Sequence, residues 1–394
     1  MRRSSFVALV IVALCVGCTT NAAHRSDQVT PRPSSPVVSP STTRAPSDAL
    51  ASSAAPTRSS PPDAVAPAVV CPAVPHVVTA MFTGHALARG GDRIVPVTVD
   101  DSGAVLSLVT HGGQKTISLL RPSGDDTVIL SVAQDDQLTG ASVSGTDVVF
   151  FVSHSPNNPM LWTLYHYNRV SGVLSRVKDN PGGTAHPQDG PFPQAVQVGH
   201  TAYWEEGLPG QRAAIQRLDL NTGAVSVART GHPAALFTYR DTLLWLESPA
   251  PDALTTVHAF GKVPLPAPVT AALSGASSVT AAGTRLAWVS GGGHDISSWS
   301  GSGPPEVQYQ TDTDHAAWEV HIAGRLITWE TPDRPWALDT VSRRVFPPTP
   351  QYGFVLTSAT TLLITYPGAD AGKGNDPVTI ATVATSAIPR SIGC

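Results

Sequence analysis

Four short segments constrain this chain more than anything else in it: Thr201-Ala202-Tyr203-Trp204, Thr242-Leu243-Leu244-Trp245, Arg285-Leu286-Ala287-Trp288 and Leu326-Ile327-Thr328-Trp329. Each is a β-prone run that closes on tryptophan. The series extends back to Phe151 and, more weakly, to Leu108, and forward to Tyr366, with successive intervals of 43, 53, 41, 43, 41 and 37 residues. A motif that returns at such a period marks a chain assembled from copies of one supersecondary unit. The 53-residue interval requires an insertion.

A second run follows several of these anchors at a repeated distance. The plainest are Trp162-Thr163-Leu164-Tyr165-His166-Tyr167 and Ile215-Gln216-Arg217-Leu218-Asp219-Leu220, followed by Ala337-Leu338-Asp339-Thr340. The first two lead into Ser171-Gly172 and Thr222-Gly223, after which strand-like residues resume. Glycine accepts positive φ at such turns, so the unit is strand, turn, strand. Small sheets of this kind bury their faces only by stacking on one another, and a ring leaves no terminal face bare. The expected fold is therefore all-β, a single β-propeller of seven blades, or six if Leu108 is discounted. Trp204, Trp245, Trp288 and Trp329 are read as packing between sheets rather than as ligand platforms.

The N-terminus has Arg2 and Arg3 before an apolar stretch over residues 6–14, long enough for a signal-peptide core and too short for an ordinary spanning helix. The following Cys15-Val16-Gly17-Cys18-Thr19 resembles the processing site of bacterial lipoproteins. That resemblance implies a signal peptide over 1–17 and a lipid-bearing, palmitate-type anchor on Cys18. It places the folded domain on the extracytoplasmic side of a bacterial cell membrane. An uncleaved signal anchor and plain secretion are the alternatives. Residues 18–70 are rich in Ser, Thr, Pro and Ala and read as an extended tether.

The propeller is assigned to residues 71–394. Its first blade is read from runs over 93–99, 104–109, 116–120 and 128–132, and Val77-Val78-Thr79 is read as an N-terminal strand completing the last blade. Cys71 and Cys394, the two cysteines outside the export region, are expected to form a disulfide across that seam. The segments 155–159 and 179–192 are candidate recognition loops, and Glu205-Glu206-Gly207 is read as an exposed loop.

The formal net charge is −4 and shows no concentrated basic patch, so nucleic acid is not an expected partner. The thirteen histidines, His154, His166, His186, His200, His232 and His258 among them, are scattered and form no familiar ligand motif. Asp100-Asp101, Asp125-Asp126 and Asp135-Asp136 fit turns whose carboxylates accept backbone hydrogen bonds. Thr311-Asp312-Thr313-Asp314-His315 is a fragment of a cation loop without its terminal acid. No metal and no cofactor are expected. There is no Gly-x-Ser-x-Gly elbow, phosphate loop or dinucleotide glycine motif, and the catalytic residues, if any, are unknown.

The folded portion as a whole resembles bacterial β-propeller lipoproteins of the WD40-like and quinoprotein-like kinds, without the regular Trp-Asp signature of a strict WD40 repeat. Two functions follow from that resemblance. The first is a cell-envelope ligand-binding or protein-assembly module, whose partner is an envelope protein or glycan. The second is an extracytoplasmic hydrolase of a carbohydrate, lactone or other small envelope metabolite.

Overall fold

The computed structural model describes residues 67–87, 92–154, 161–180, 193–208, 212–249, 253–312, 315–349, 353–366 and 379–394. The signal-like segment, Cys18, most of the tether, residues 155–159, residues 181–192 with His186, and Thr313 with Asp314 lie outside them.

Seven sheets follow one another in chain order. Blade 1 is Arg93–Val99, Val105–His111, Gln114–Leu120 and Thr127–Val132; blade 2 is Gln137–Ser144, Asp147–Ser153, Trp162–Asn168 and Leu174–Asp179. Blade 3 is Val196–Val198, Thr201–Leu208, Arg212–Asp219 and Val225–Gly231. Blade 4 has three strands, Pro233–Tyr239, Thr242–Glu247 and Thr256–Ala259, and a short helix, Ala267–Ala272, follows where a fourth strand would stand. Blade 5 is Ser278–Ala282, Arg285–Ser290, Asp295–Trp299 and Glu306–Gln310; blade 6 is Glu319–Ala323, Leu326–Glu330, Pro335–Asp339 and Arg344–Phe346. Blade 7 takes Val355–Thr357, Thr361–Tyr366 and Thr379–Ala384 from the C-terminal end and its outermost strand, Ala86–Leu87, from the N-terminal end. The first strand of each blade meets the first strand of the next, and blade 7 meets blade 1. The molecule is a seven-bladed β-propeller.

The buried side chains fall into seven clusters, each bridging two neighbouring blades. This is how a stack of small sheets removes both faces of every sheet from water. Trp204, Trp245, Trp288 and Trp329 are each at most 1% exposed and pack towards the preceding blade. Phe151 and Leu108 also lie on second strands, but they pack towards the following blade. The period of a strand is two, so a one-residue difference in phase sends a side chain to the opposite face. In blade 2 the residue in phase with the tryptophans is Phe150, which packs towards blade 1 and stacks on Tyr165 at 5.4 Å.

The seam differs from expectation in one respect. Val77-Val78-Thr79 is helical, within α1 (His76–Gly84), and the closing strand is Ala86–Leu87, paired with Ile380 and Ala381. Pro75 precedes the helix, and Val78 with Phe82, four residues apart, put one helical stripe into the core between blades 6 and 7. That burial outweighs the β-propensity of two adjacent valines. Val69–Val70, assigned to the end of the tether, runs parallel to Arg344–Val345 as a fifth strand of blade 6. Cys71 and Cys394 are disulfide-bonded with Cα atoms 5.3 Å apart, tying this N-terminal segment to the C-terminus.

Antiparallel connectivity sorts the connections into two faces. Turns between first and second strands, and between third and fourth, lie at one end of the ring. Connections between second and third strands, and from one blade to the next, lie at the other. The first end has tight turns at 145–146, 199–200, 240–241, 283–284 and 324–325. Gly324 needs its positive φ of 52°, and Thr385 lies against it so closely that a Cβ would not fit. Polar side chains knit this short-turn face together. Asp100 accepts from Arg169 of blade 2 at 2.8 Å, and Asp101 accepts from the Thr360 N–H and hydroxyl of blade 7 at 3.0 and 2.9 Å.

Candidate functional site at the long-loop face

The second strand of each blade runs towards the long-loop face, so the residues after each tryptophan approach it. In blades 3 and 4 the second residue after the tryptophan is an acid in the same phase. Trp204 Nε1 donates to Glu206 Oε2 at 3.4 Å, and Trp245 Nε1 donates to Glu247 Oε2 at 3.0 Å. The outer strand of the preceding blade supplies a cation to each: Lys178 Nζ lies 2.5 Å from Glu206, and Arg229 Nη2 lies 2.9 Å from Glu247. Both cations also sit over the indole, at 5.9 and 5.5 Å from the ring centroid. Glu205-Glu206-Gly207 is thus buried strand rather than exposed loop, and these two clasps are fully paired interblade packing.

The first residue after the tryptophan faces the next blade. In blade 3 it is Glu205, which burial alone pushes up to about 7. In blade 6 it is Glu330, and there the surroundings are richer in polar groups. Glu330 stands directly opposite Glu319 on the neighbouring strand, and Thr328 stands directly opposite His321. Opposed residues of an antiparallel pair share a sheet face, so all four side chains are on one face. That face looks at blade 7, because the Val355 N–H donates to Glu330 Oε1 at 3.3 Å and Leu326, in the same phase, packs with blade 7 residues.

Burial, with the charge of Glu319 adding to it and the Val355 hydrogen bond opposing it, raises Glu330 to about 8. Burial thus favours the protonated form of Glu330, and a cation placed beside it would favour the ionised form. Glu319, at 28% side-chain exposure, has His321 Nε2 at 3.3 Å as its ion-pair neighbour. The Thr328 hydroxyl is buried and has no hydrogen-bond partner among the described residues, and the same holds for the buried Thr349 hydroxyl in the connection to blade 7. Gly353 has to be glycine, since a Cβ there would strike the Thr349 side chain and the Thr365 carbonyl. Trp318, 49% exposed, immediately precedes Glu319. The blade 6 face turned towards blade 7 thus gathers two carboxyls, an imidazole and a hydroxyl that has no hydrogen-bond partner among the described residues. Chemically, it can give a proton from Glu330 and accept hydrogen bonds at Glu319 and Thr328.

A second cluster on this face has the outline of a nucleophile relay. Asp136 Oδ1 meets His154 Nδ1 at 3.0 Å and His154 Nε2 meets the Thr163 hydroxyl at 2.8 Å. The hydroxyl is buried and donates instead to Asp179 Oδ1 at 2.8 Å. Burial opposes ionisation of Asp179, but hydrogen bonds from Arg176 and Thr163 prevail and hold its carboxyl below the usual range. A hydroxyl so enclosed and so engaged braces blade 2 and cannot attack a substrate.

The other residues singled out in the sequence do not converge. His166 Nε2 bonds Asp147 Oδ1 at 2.7 Å towards the short-turn face, and His258 stacks on Trp245 at 5.9 Å. His315 pairs with Asp312 at 2.5 Å and Asp333 at 2.7 Å, on the exposed rim. Asp126 and Asp136 accept the N–H groups of Arg121 and Ala133, as expected of turn carboxylates. Among the described residues no group of three or more His, Cys, Asp or Glu is placed to hold a metal ion. Sequence reasoning missed the Glu319, His321, Thr328 and Glu330 group. Its signal was available only as an acid in phase with the blade 7 side of a strand already anchored by Trp329.

No protein-family model matches the chain, and no curated protein does. Solved structures do resemble it. Prolyl oligopeptidase B from Galerina marginata is 13% identical, with 79% of this chain and 50% of that one covered and a TM-score of 0.50. Virginiamycin B lyase from Staphylococcus aureus is 14% identical, with 75% and 97% covered and a TM-score of 0.46. TolB from Acinetobacter baumannii is 12% identical, with 76% and 65% covered and a TM-score of 0.38. The likeness is one of fold. This chain spans about half the length of the prolyl peptidases it matches, 48% in one and 50% in the other.

Proposed function

We propose that this chain is a cell-envelope lipoprotein, anchored to the bacterial membrane through Cys18, whose propeller is a ligand-binding or protein-assembly module working through its long-loop face. The observation that carries the reading is the blade 6 face turned towards blade 7, where Glu319 and Glu330 have no lysine or arginine partner and the buried Thr328 hydroxyl has no hydrogen-bond partner among the described residues. Buried polar groups are ordinarily satisfied, and exceptions in a rigid scaffold mark places that meet something else. The Ser/Thr/Pro-rich stretch at 18–70 gives such a module reach from the membrane.

The test compares faces. A photo-crosslinking residue at position 318, on the long-loop face, is expected to capture an envelope component in intact cells. The same residue at position 341, 67% exposed on the short-turn face, is not. Capture from 341 alone would overturn the reading.

A second reading, an extracytoplasmic hydrolase of a carbohydrate, lactone or other small envelope metabolite, has one observation in its favour. The proton-bearing Glu330 beside Glu319 is the pairing of acid and base that such chemistry uses. Turnover of an ester, lactone or glycoside panel that Glu330→Gln abolishes in folded protein would favour this reading over the first.

A further inference from the structure

We propose that the polar face of blade 6 turned towards blade 7 binds a primary ammonium group, held between Glu319 and Glu330 with the Thr328 hydroxyl as a third acceptor. The inference rests on reading the long-loop face as the binding face, and it names the chemistry of the ligand.

Three features of this face lead there. The two acids are directly opposed on adjacent strands of blade 6, so their Cβ atoms stand about 4.5–5.5 Å apart, a span one small cation can bridge. Among the described residues neither acid has a lysine or arginine partner: Glu319 has His321, and Glu330 has only the Val355 N–H. This contrasts with Glu206 and Glu247, each met by a cation from the neighbouring blade. The third feature is independent of the acids. Thr328 is 1% exposed and directly opposite His321, and its hydroxyl, on the face shared with Glu319 and Glu330, has no hydrogen-bond partner among the described residues. A buried hydroxyl left without a partner costs free energy that a ligand can return.

The shape of the acceptor set selects among cations. An ammonium group is a compact charge with three donors that can point in three directions, and the acceptors lie on two strands. A guanidinium is a flat fork suited to one bidentate carboxylate. A divalent metal needs a set of ligands the described residues do not assemble. Glu319 is the partly exposed member of the set and Thr328 the buried one, so an alkyl chain, a sugar ring or a peptide attached to the ammonium would extend outward on the Glu319 side. Free amines, amino sugars and lysine side chains share this chemistry.

The experiment is isothermal titration of the purified full-length protein with butylamine, glucosamine and an end-capped lysine tripeptide. Butanol and N-acetylglucosamine serve as neutral counterparts. At least one amine is expected to bind saturably, its neutral counterpart not at all, and the tightest of the three identifies the source. Glu319→Gln, a partly exposed change that leaves the core intact, should weaken binding at least about tenfold. Thr328→Val, similar in size, should weaken it in the same sense. Equal binding of the neutral counterparts, or full affinity in both variants, would overturn the proposal, as would calcium or zinc binding in place of amines. If no amine binds while crosslinking from position 318 persists, the ammonium assignment falls and the face assignment stands.

Discussion

On the short-turn face Asp100 is met by Arg169 and Asp101 by Thr360, whereas on the long-loop face Glu330 meets one backbone N–H and Glu319 one histidine. The difference follows from connectivity. Tight turns bring the ends of neighbouring blades into a fixed relation, so a side chain projecting from one finds a constant partner on the next. At the other end the connections vary in length, and Glu330, at the start of the turn over residues 331–334, meets only the Val355 N–H from blade 7 among the described residues. Interblade pairs stand on both faces, Glu206 with Lys178 and Glu247 with Arg229 on the second, but between blades 6 and 7 that second face also keeps a buried hydroxyl that no group among the described residues pairs, at some cost in stability.

That contrast can be broken most forcefully at the seam. Cys394→Ser is expected to lower stability in oxidised protein by about 2–4 kcal/mol, measured by urea unfolding, while leaving crosslinking from position 318 intact. Equal stability would show that the bridge holds nothing the strands do not.

Glu330→Gln should act in the opposite direction. An acid raised in the fold from 4.5 to about 8 keeps its proton in the native state over a range where the unfolded chain has lost it, so native protein binds more protons there. Wild-type stability should therefore fall as pH rises from about 4.5 through 8, by roughly 2 kcal/mol after allowance for relaxation of the site. Glu330→Gln should flatten that slope. Parallel pH profiles of melting temperature for the two proteins would remove the claim that this carboxyl is buried at a cost.

Asp101→Ala removes the hydrogen bonds between blades 1 and 7 and should cost about 1 kcal/mol, again without effect on binding. Trp318→Ala completes the comparison with the smallest effect on folding, within about 0.5 kcal/mol, because its side chain is half exposed. It should nonetheless weaken whatever the long-loop face holds. A Trp318→Ala protein that is severely unstable yet binds normally would reverse the roles assigned to the two faces.

The blades were legible in the sequence because a packing aromatic at one strand position repeats through the later blades. Its phase was not legible in blade 2, where Phe150 and Phe151 are adjacent and both buried, so alternation gives no choice between them. The closing strand was misplaced for a related reason. Ala86–Leu87 is two residues long and carries no signal, while Val77-Val78-Thr79 looks extended and is made helical by what Val78 and Phe82 pack against. Glu205-Glu206-Gly207 reads as a turn by composition, but Lys178 and Trp204 compensate Glu206 from outside the segment. The site between blades 6 and 7 was least visible. Glu319, Thr328 and Glu330 are unremarkable individually, and only strand register sets them side by side.

The interleaving of both chain ends in blade 7 has a consequence for biogenesis. In a chain made from its N-terminus, Ala86–Leu87 precedes its partner Thr379–Ala384 by the strands of the six other blades, so blade 7 is the last that can pair. Through that interval an open arc presents two bare sheet faces to any chaperone nearby. The ring is a structure that synthesis can only finish, never begin, and chains truncated even shortly before Thr379 should be proteolysed rather than accumulate.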